Sequence, residues 1–258
     1  IRRPPRSTQS RSSAASDVYK RQIKKIVQSF GFDLYRLSPS SNSSLQMLKG
    51  LNHFEVDVVF DIGANIGQFA SELRSMGYKG KIVSFEPLPD AHKKLIEKAS
   101  GDKSWDIHTQ CAIGDFDGEI EINVAGNSVS SSILPMLEKH SDSAKNSAYI
   151  GKIKSPISCL DSVVGQYLSG SEKFFIKIDT QGFEWQVLDG ATESLAQAQG
   201  VLCELSLVPL YQGQRLWKEM IERLQAEGFV LWAVQKGFTE PLTGQTLQID
   251  AIFYRKVI

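Results

Sequence analysis

The chain has 258 residues, of which 41% are hydrophobic, and its 29 basic and 29 acidic side chains give a formal net charge of zero. This length holds one large α/β domain or two small ones, and the composition is that of an ordinary soluble globular protein. The charge is uneven, because residues 1–22 carry six Lys or Arg against one acid, which leaves about −5 on the remaining 236 residues.

These properties exclude several classes of protein. A mildly acidic body argues against a nucleic-acid partner, which would need a clustered basic face. No apolar run reaches the 18 residues of a membrane span, so we expect a soluble, cytoplasmic protein. The three cysteines form no C-x-x-C pair and have no histidine partner in sequence, so neither a disulfide framework nor a zinc site is expected.

The amino-terminal segment differs from the rest in composition. Residues 1–22 are rich in Arg, Ser and Pro, and we expect them to be disordered. Residues 11–22 resemble translated sequencing-adapter sequence, so we expect that this segment is non-native. From Ile23 the apolar residues follow a helical spacing, which predicts a helical extension over residues 23–50 and one α/β domain over residues 51–258.

The most informative motif comes next. Val58–Phe60 read as a buried strand that ends at Asp61 and runs into a turn framed by Gly63 and Gly67. These glycines form G-x-N-x-G around Asn65, not the G-x-G-x-x-G of dinucleotide-binding proteins. A carboxylate beside such a turn suits an amine-bearing ligand, and this is what the methionyl part of S-adenosylmethionine presents.

A helix follows the turn, and a second strand runs over residues 81–86. Strand, helix and strand within thirty residues predict a βαβ unit with two parallel strands. Glu86 ends the second strand, 23 residues after Gly63. An acid at this position in nucleotide-binding α/β units accepts hydrogen bonds from ribose hydroxyls, and we assign that role to Glu86.

A third strand is predicted over Trp105–Cys111. Residues just past it belong to the same rim, so Ala112 and Ile113 are expected to line the adenine. Residues 119–124 alternate between polar and apolar, as an additional strand with one wet face does. Residues 126–149 are rich in Ser and read as a long loop of the kind that often covers a site.

The second half of the chain continues the alternation. The strand Lys173–Asp179 ends in an acid, and the strand over residues 200–205 carries Glu204 near its end. A helix over residues 216–224 precedes two late strands, which we expect to form an antiparallel edge. About seven main strands alternating with helices predict a doubly wound, mostly parallel sheet with helices on both faces.

Four motifs in this order carry a resemblance to a known family. The chain has D-I-G-A-N-I-G at 61–67, F-E-P at 85–87, K-I-D-T-Q-G-F-E at 177–184 and P-L-Y at 209–211. It resembles the FkbM family of S-adenosylmethionine-dependent methyltransferases from about Phe54 to Tyr254. The resemblance implies a class I methyltransferase (Rossmann-like) fold and methyl transfer to a hydroxyl, often of a sugar, glycolipid or polyketide. It also implies cofactor contacts from Asp61, Gly63, Ala64, Asn65, Gly67, Glu86, Ala112 and Ile113.

Methylation of a hydroxyl requires a group that removes the acceptor proton. Asp179, Glu184 and Glu204 are the carboxylates expected at the rim, and Asp179 is the first choice because its strand neighbours the first one. Lys177 lies two residues earlier on the same face and would pair with a carboxylate or steer the acceptor. Glu184 and Lys177 also have structural interpretations, as a helix N-terminal acid and as a buried ion pair. No metal ligands are predicted.

Two other functions stay open on the sequence. An NAD-dependent oxidoreductase or epimerase is disfavoured, because both G-x-G-x-x-G and a Y-x-x-x-K pair are missing. A non-catalytic binding module on the same fold is the second. The identity of the acceptor depends on the loops at residues 126–149 and 206–214.

Overall fold

The computed structural model describes residues 10–256, with side chains from Val18 onward. It divides into a unit that ends at Gln46 and a unit that begins at Met47. In the first unit, helix α1 spans Ser10–Ser29. This helix contains no Gly or Pro that would interrupt it, and residues 1–9 lie outside the described part. The expectation that residues 1–22 are disordered and non-native stays a prediction.

The second unit holds ten strands. They are β1 (Val58–Ile62), β2 (Lys81–Phe85), β3 (Trp105–Ile107), β4 (Ala112–Gly114), β5 (Gly118–Ala125), β6 (Tyr149–Cys159), β7 (Phe174–Ile178), β8 (Gly200–Ser206), β9 (Phe229–Lys236) and β10 (Gln248–Arg255).

The helices flank these strands in the chain. After α2 (Ser43–His53), which crosses the boundary between the units, come α3 (Gln68–Met76), α4 (Pro89–Ala99), α5 (Glu138–Ser143), α6 (Leu160–Val163), α7 (Glu184–Asp189), α8 (Thr192–Gln197) and α9 (Trp217–Ala226). Among the described residues, none of these helices combines the length and the apolar character needed to cross a membrane.

Seven strands form one sheet in the order β3-β2-β1-β7-β8-β10-β9. The first five are parallel, and β10 runs antiparallel to both β8 and β9. The carboxyl ends of β1, β2, β7 and β8 therefore meet at one edge, which is where open α/β sheets bind ligands. The predicted doubly wound, mostly parallel sheet of seven strands is confirmed, including its late antiparallel pair.

A second sheet of three strands, in the order β4-β6-β5, was predicted only in part. The additional strand at residues 119–124 is β5, but its partner β6 was not predicted, and the Ser-rich stretch contains α5. The predicted third strand is also shorter, because β3 ends at Ile107 and the chain then crosses to pair β4 with β6. Ala112 and Ile113 consequently belong to the second sheet and not to the rim after β3.

Strands β1 and β7 lie in the middle of the main sheet and form part of its core. Every residue of both strands is buried, as expected for parallel strands covered on both faces. On one face of the sheet, their apolar side chains pack with those of α7, α8 and α9 in one continuous cluster. The two polar exceptions within these strands are Asp61 and Lys177, and both belong to the candidate site.

Candidate active site

The turn after β1 forms the first wall of the site. Gly63, Asn65 and Gly67 all have left-handed backbone angles, with φ of 76°, 48° and 80°. A Cβ added at Gly63 would lie 1.8 Å from the carbonyl oxygen of Asp179, so this turn and the end of β7 are in direct contact. The glycine is thus required by the approach of a neighbouring strand, in addition to the turn itself.

The other residues of the turn are held by the protein as well. A Cβ at Gly67 would meet Leu95 and Trp105 at 2.8–2.9 Å. The backbone N–H groups of Gly63 and Ala64 both donate to the carbonyl of Phe85, at 3.1 and 3.0 Å. Packing between β1, β2 and α4 therefore sets the shape of the predicted cofactor turn.

Glu86 occupies the expected position at the end of β2. Its Oε2 accepts a hydrogen bond from the Asn65 N–H at 2.7 Å, and its Oε1 accepts one from the Leu88 N–H at 2.9 Å. Glu86 is 3% exposed, and this burial raises the pKa of its carboxyl to about 7, although both N–H groups oppose the shift. Two further lone pairs remain on the carboxyl for hydroxyl groups.

Asp61 is enclosed at the end of β1. It has no accessible surface, and its Oδ1 lies 3.0 Å from Nζ of Lys177, its register partner on β7. We expected Asp61 to help hold the methionyl end of the cofactor, and that role stays a prediction beside its pairing with this cation of the protein. This geometry agrees with the interpretation of Lys177 as one partner of a buried ion pair.

Lys177 links the two motifs of the site. Besides Asp61, its Nζ lies 3.5 Å from Oδ2 of Asp179 and donates to the carbonyl of Gly63 at 3.1 Å. Burial alone would lower the pKa of Lys177, but the charges of Asp61 and Asp179 outweigh it, so the pKa is raised. This lysine stays charged and is not free to act as a proton donor.

Asp179 and Glu204 stand together at the ends of β7 and β8. The side-chain amide of Gln181 bridges them, because its Nε2 donates to Oδ1 of Asp179 at 2.9 Å and to Oε2 of Glu204 at 2.8 Å. The Asp179 side chain is 36% exposed, so a ligand at this rim can reach it. The structure thus brings two of the predicted catalytic acids into one network.

A third acid joins this pair. Asp250 is the register partner of Glu204 on β10. Burial, and next the charge of Asp179, raise the pKa of Asp250 to about 6. Burial and the charges of Asp179, Asp250 and Glu184 raise the pKa of Glu204 well above its ordinary value. This part of the rim favours groups that donate hydrogen bonds.

Glu184 supports the loop before its own helix. Its Oε1 accepts hydrogen bonds from the N–H groups of Thr180 and Gly182, at 2.9 and 3.0 Å, and from the Thr180 hydroxyl. It is 6% exposed, and this burial raises its pKa to about 7. These contacts favour a structural role for Glu184 over the role of proton acceptor.

The Ser-rich segment reaches across the same rim. The Ser128 hydroxyl accepts from Nδ2 of Asn65 at 3.3 Å, and the Ser132 hydroxyl donates to the Gln181 carbonyl at 2.6 Å. The segment therefore connects the first motif to the second, as a covering loop would. His140 contacts the Ser130 hydroxyl and is buried, which lowers its pKa to about 4, so it is neutral.

The sequence interpretation missed several members of this site. Tyr211 is 1% exposed, and its hydroxyl donates to Oε1 of Gln181 at 2.8 Å. Gln248 donates from Nε2 to Oε2 of Glu204 at 2.6 Å. The only indication of Gln181 and Tyr211 in the sequence is that they lie in the motifs at 177–184 and 209–211. Asp250 and Gln248 lie on an antiparallel strand, where no spacing rule pointed to them.

The hydrogen-bonding groups at the rim fit two parts of S-adenosylmethionine, the ribose and the methionyl carboxylate. Glu86 has acceptor capacity for the ribose hydroxyls, and no side chain of the described residues caps the start of α3 at Gly67, which leaves backbone N–H groups for the methionyl carboxylate. Ala112 and Ile113 are 4% and 2% exposed, and their expected contact with the adenine stays a prediction. Within residues 10–256, no group of three or more His, Cys, Asp or Glu is arranged to hold a metal ion.

A protein-family model matches the chain. The model of the methyltransferase FkbM domain matches residues 61–231, which include the turn after β1 and the motif at 177–184. This span covers about two thirds of the chain.

A curated relative is the hexuronic acid methyltransferase AglP of Haloferax volcanii, 27% identical over 156 residues. The match covers 58% of this chain and 56% of that protein, so the chain spans little more than half of its length.

Two solved structures are also similar. One is magnesium protoporphyrin IX methyltransferase from Synechocystis with bound S-adenosylmethionine, at a TM-score of 0.46 and 10% identity, covering 83% of this chain and 77% of that one. The other is fibrillarin from Aeropyrum pernix, at a TM-score of 0.43 and 10% identity, covering 76% and 66%.

Proposed function

This chain belongs to the FkbM methyltransferase domain family and takes S-adenosylmethionine as its cofactor, and we propose that it methylates an oxygen of a sugar-containing acceptor. The oxygen is a hydroxyl, and Asp179 is the group that accepts its proton. When bound, S-adenosylmethionine supplies the methyl group from its sulfonium centre.

The observation that carries this proposal is the contact between Gly63 and Asp179. The predicted cofactor turn touches the backbone carbonyl of Asp179, which supports a position of its side chain close to the methyl donor. A hydroxyl is a weak nucleophile, and a positioned base within hydrogen-bond reach raises its reactivity. An exposed carboxylate next to the donor meets this requirement.

The other predicted catalytic residues take supporting roles. Glu184 fixes the loop over residues 180–182 through its backbone contacts. Lys177 forms ion pairs with both Asp61 and Asp179 and so holds their side chains in place. Glu204 shares the amide of Gln181 with Asp179 and adds acceptor capacity for a second hydroxyl of the substrate.

A sugar acceptor is supported by two observations. The curated relative is named as a methyltransferase of a hexuronic acid, which is a sugar acid. The carboxyl groups of Asp179, Glu204 and Asp250 at the rim are suited to the several hydroxyl donors that a sugar presents. A glycolipid or polyketide-type acceptor would present the same hydroxyl chemistry, and these compounds belong in the test.

The experiment is transfer of a labelled methyl group from S-adenosylmethionine to a panel of hexoses, hexuronic acids, glycolipids and hydroxylated polyketides, with NMR of the products. We expect a methyl ether on a sugar hydroxyl. A methyl ester, or methylation of nitrogen, would contradict the proposal. Binding of S-adenosylhomocysteine measured by calorimetry, without transfer to any acceptor, would favour a non-catalytic binding module.

A further inference from the structure

Gln181 has an unusual combination of contacts for a surface-loop glutamine. Its amide nitrogen donates to two carboxylates on different strands, Asp179 and Glu204, while its amide oxygen accepts from the Tyr211 hydroxyl. Its backbone carbonyl accepts from the Ser132 hydroxyl at 2.6 Å. Every hydrogen-bonding group of the side chain is thus used within the site.

The orientation of this amide is fixed by its neighbours. Both carboxylates need a donor, and only the NH₂ end of the amide supplies two hydrogens. If the amide were flipped, its oxygen would face two carboxyl groups and the bridge would be lost. The Tyr211 hydroxyl, which is buried and donates to the oxygen end, opposes such a flip.

The backbone at this point is also specialised. Gln181 has φ of 55°, in the left-handed region, which is unfavourable for a residue with a side chain and persists where the surroundings hold it. Next to it, Gly182 has φ of 100°, and a Cβ there would lie 2.9–3.0 Å from the ring of Tyr211. The two residues together place the amide against the tyrosine.

From this geometry we infer that Gln181, held by Tyr211, is the positioning residue that aims the carboxylate of Asp179 at the acceptor and keeps it apart from Glu204. It supplies a hydrogen to each acid without adding a charge of its own. The inference rests on the proposed function for the role of Asp179, but the Gln181 bridge itself is independent of the identity of the acceptor. Positioning matters because displacement of a reacting group by about 1 Å costs on the order of 10²-fold in rate.

The test compares three variants of the full chain. Gln181→Met keeps the length of the side chain and removes both donors. Tyr211→Phe removes only the hydroxyl that orients the amide. Gln248→Met is the matched control, because the side-chain amide of Gln248 donates to Glu204 and not to Asp179. We expect kcat to fall roughly 10²-fold in Gln181→Met, less in Tyr211→Phe and least in Gln248→Met, with unchanged affinity for S-adenosylhomocysteine.

A second measurement needs no acceptor. In protein with ¹³C-labelled glutamate carboxyls, the Glu204 signal is assigned by its absence in Glu204→Gln and followed through a pH titration. Loss of the Gln181 donor disfavours the ionised form, so the Glu204 midpoint is expected at higher pH in Gln181→Met than in the unmodified chain. An unmoved midpoint overturns the inference even if no acceptor is found.

The two proposals fail in different ways. If the unmodified chain transfers methyl groups and Gln181→Met keeps its kcat, or loses no more than Gln248→Met, the positioning role is wrong while the proposed function stands. If the unmodified chain methylates no hydroxyl but the Glu204 midpoint moves as expected, the bridge is supported and the proposed function is wrong.

Discussion

Nζ of Lys177 lies 3.0 Å from Oδ1 of Asp61, across the central parallel strands β1 and β7. The two residues belong to different sequence motifs, 116 positions apart, yet they are register partners and both are almost fully buried. The ion pair therefore joins the motif that shapes the cofactor turn to the motif that contains Asp179. A buried pair of this kind is costly to break from one side, because the remaining charge has no partner.

Replacement of Lys177 by methionine should strongly destabilise the protein. It leaves the Asp61 carboxylate buried and uncompensated, which typically costs about 3–5 kcal/mol in the free energy of unfolding. The measurement is urea denaturation at pH 7. The double variant Asp61→Asn with Lys177→Met removes both charges and should recover much of the loss.

Lys173→Met serves as the control for that experiment. Lys173 pairs with Glu55 on the surface, where both side chains are largely exposed, so we expect little change. Equal unfolding curves for Lys177→Met and Lys173→Met would contradict a structural role for the buried pair.

Replacement of Gly63 by alanine should impair both folding and cofactor binding. The added Cβ would overlap the Asp179 carbonyl oxygen, and φ of 76° is itself unfavourable for alanine by about 1–3 kcal/mol. We expect a lower midpoint of thermal unfolding and weaker calorimetric binding of S-adenosylhomocysteine. Gly151→Ala is the matched control, since a Cβ at Gly151 meets nothing within 4 Å; a loss as large in this variant would refute the steric argument.

The main sheet was predictable because its signals are local. Apolar runs such as Val58–Phe60 and the acids that follow them identify parallel strands and the rim on which Glu86, Asp179 and Glu204 lie. Strand β6 of the second sheet was not predictable in this way, because it contains Gly151 and Pro156, which are unfavourable inside a strand.

Pairing with β5 explains how β6 forms despite these residues. Lys152 and Lys154 make cross-strand ion pairs with Glu121 and Glu119, at 2.6 and 2.8 Å. Such contacts depend on which strands meet, and single-chain periodicity carries no information on this. The enclosure of Asp61 was missed for the same reason, since its partner Lys177 comes from a distant strand.

Replacement of Asp179 by asparagine should separate binding from chemistry. Asparagine keeps the size of the side chain and an oxygen for the Gln181 amide, but it cannot take up the proton of the hydroxyl that is methylated. We expect kcat for methyl transfer to fall by about 10²–10⁴-fold, with little change in the calorimetric affinity for S-adenosylhomocysteine. Glu222→Gln, on the exposed face of α9, is the matched charge control. Turnover of Asp179→Asn equal to that of Glu222→Gln would remove Asp179 from the mechanism.

Replacement of Glu184 by glutamine tests both its role and the pH dependence of stability. Burial raises the pKa of Glu184 from 4.5 to about 7, so the folded protein binds a proton that the unfolded chain has already released between these values. The resulting contribution to stability is complete below about pH 4.5 and is lost as the pH rises towards 7. Glutamine retains an oxygen for the Thr180 and Gly182 N–H groups but does not titrate.

We therefore expect urea unfolding of Glu184→Gln to show a shallower fall in stability between about pH 4.5 and 7 than the unmodified chain. Glu86, Asp250 and Glu204, whose pKa values are raised in the same direction, contribute to the slope that remains. If Glu184 only supports the loop, the variant also keeps most of its methyl transfer. A variant with an unchanged slope and no turnover would instead identify Glu184 as the group that accepts the proton.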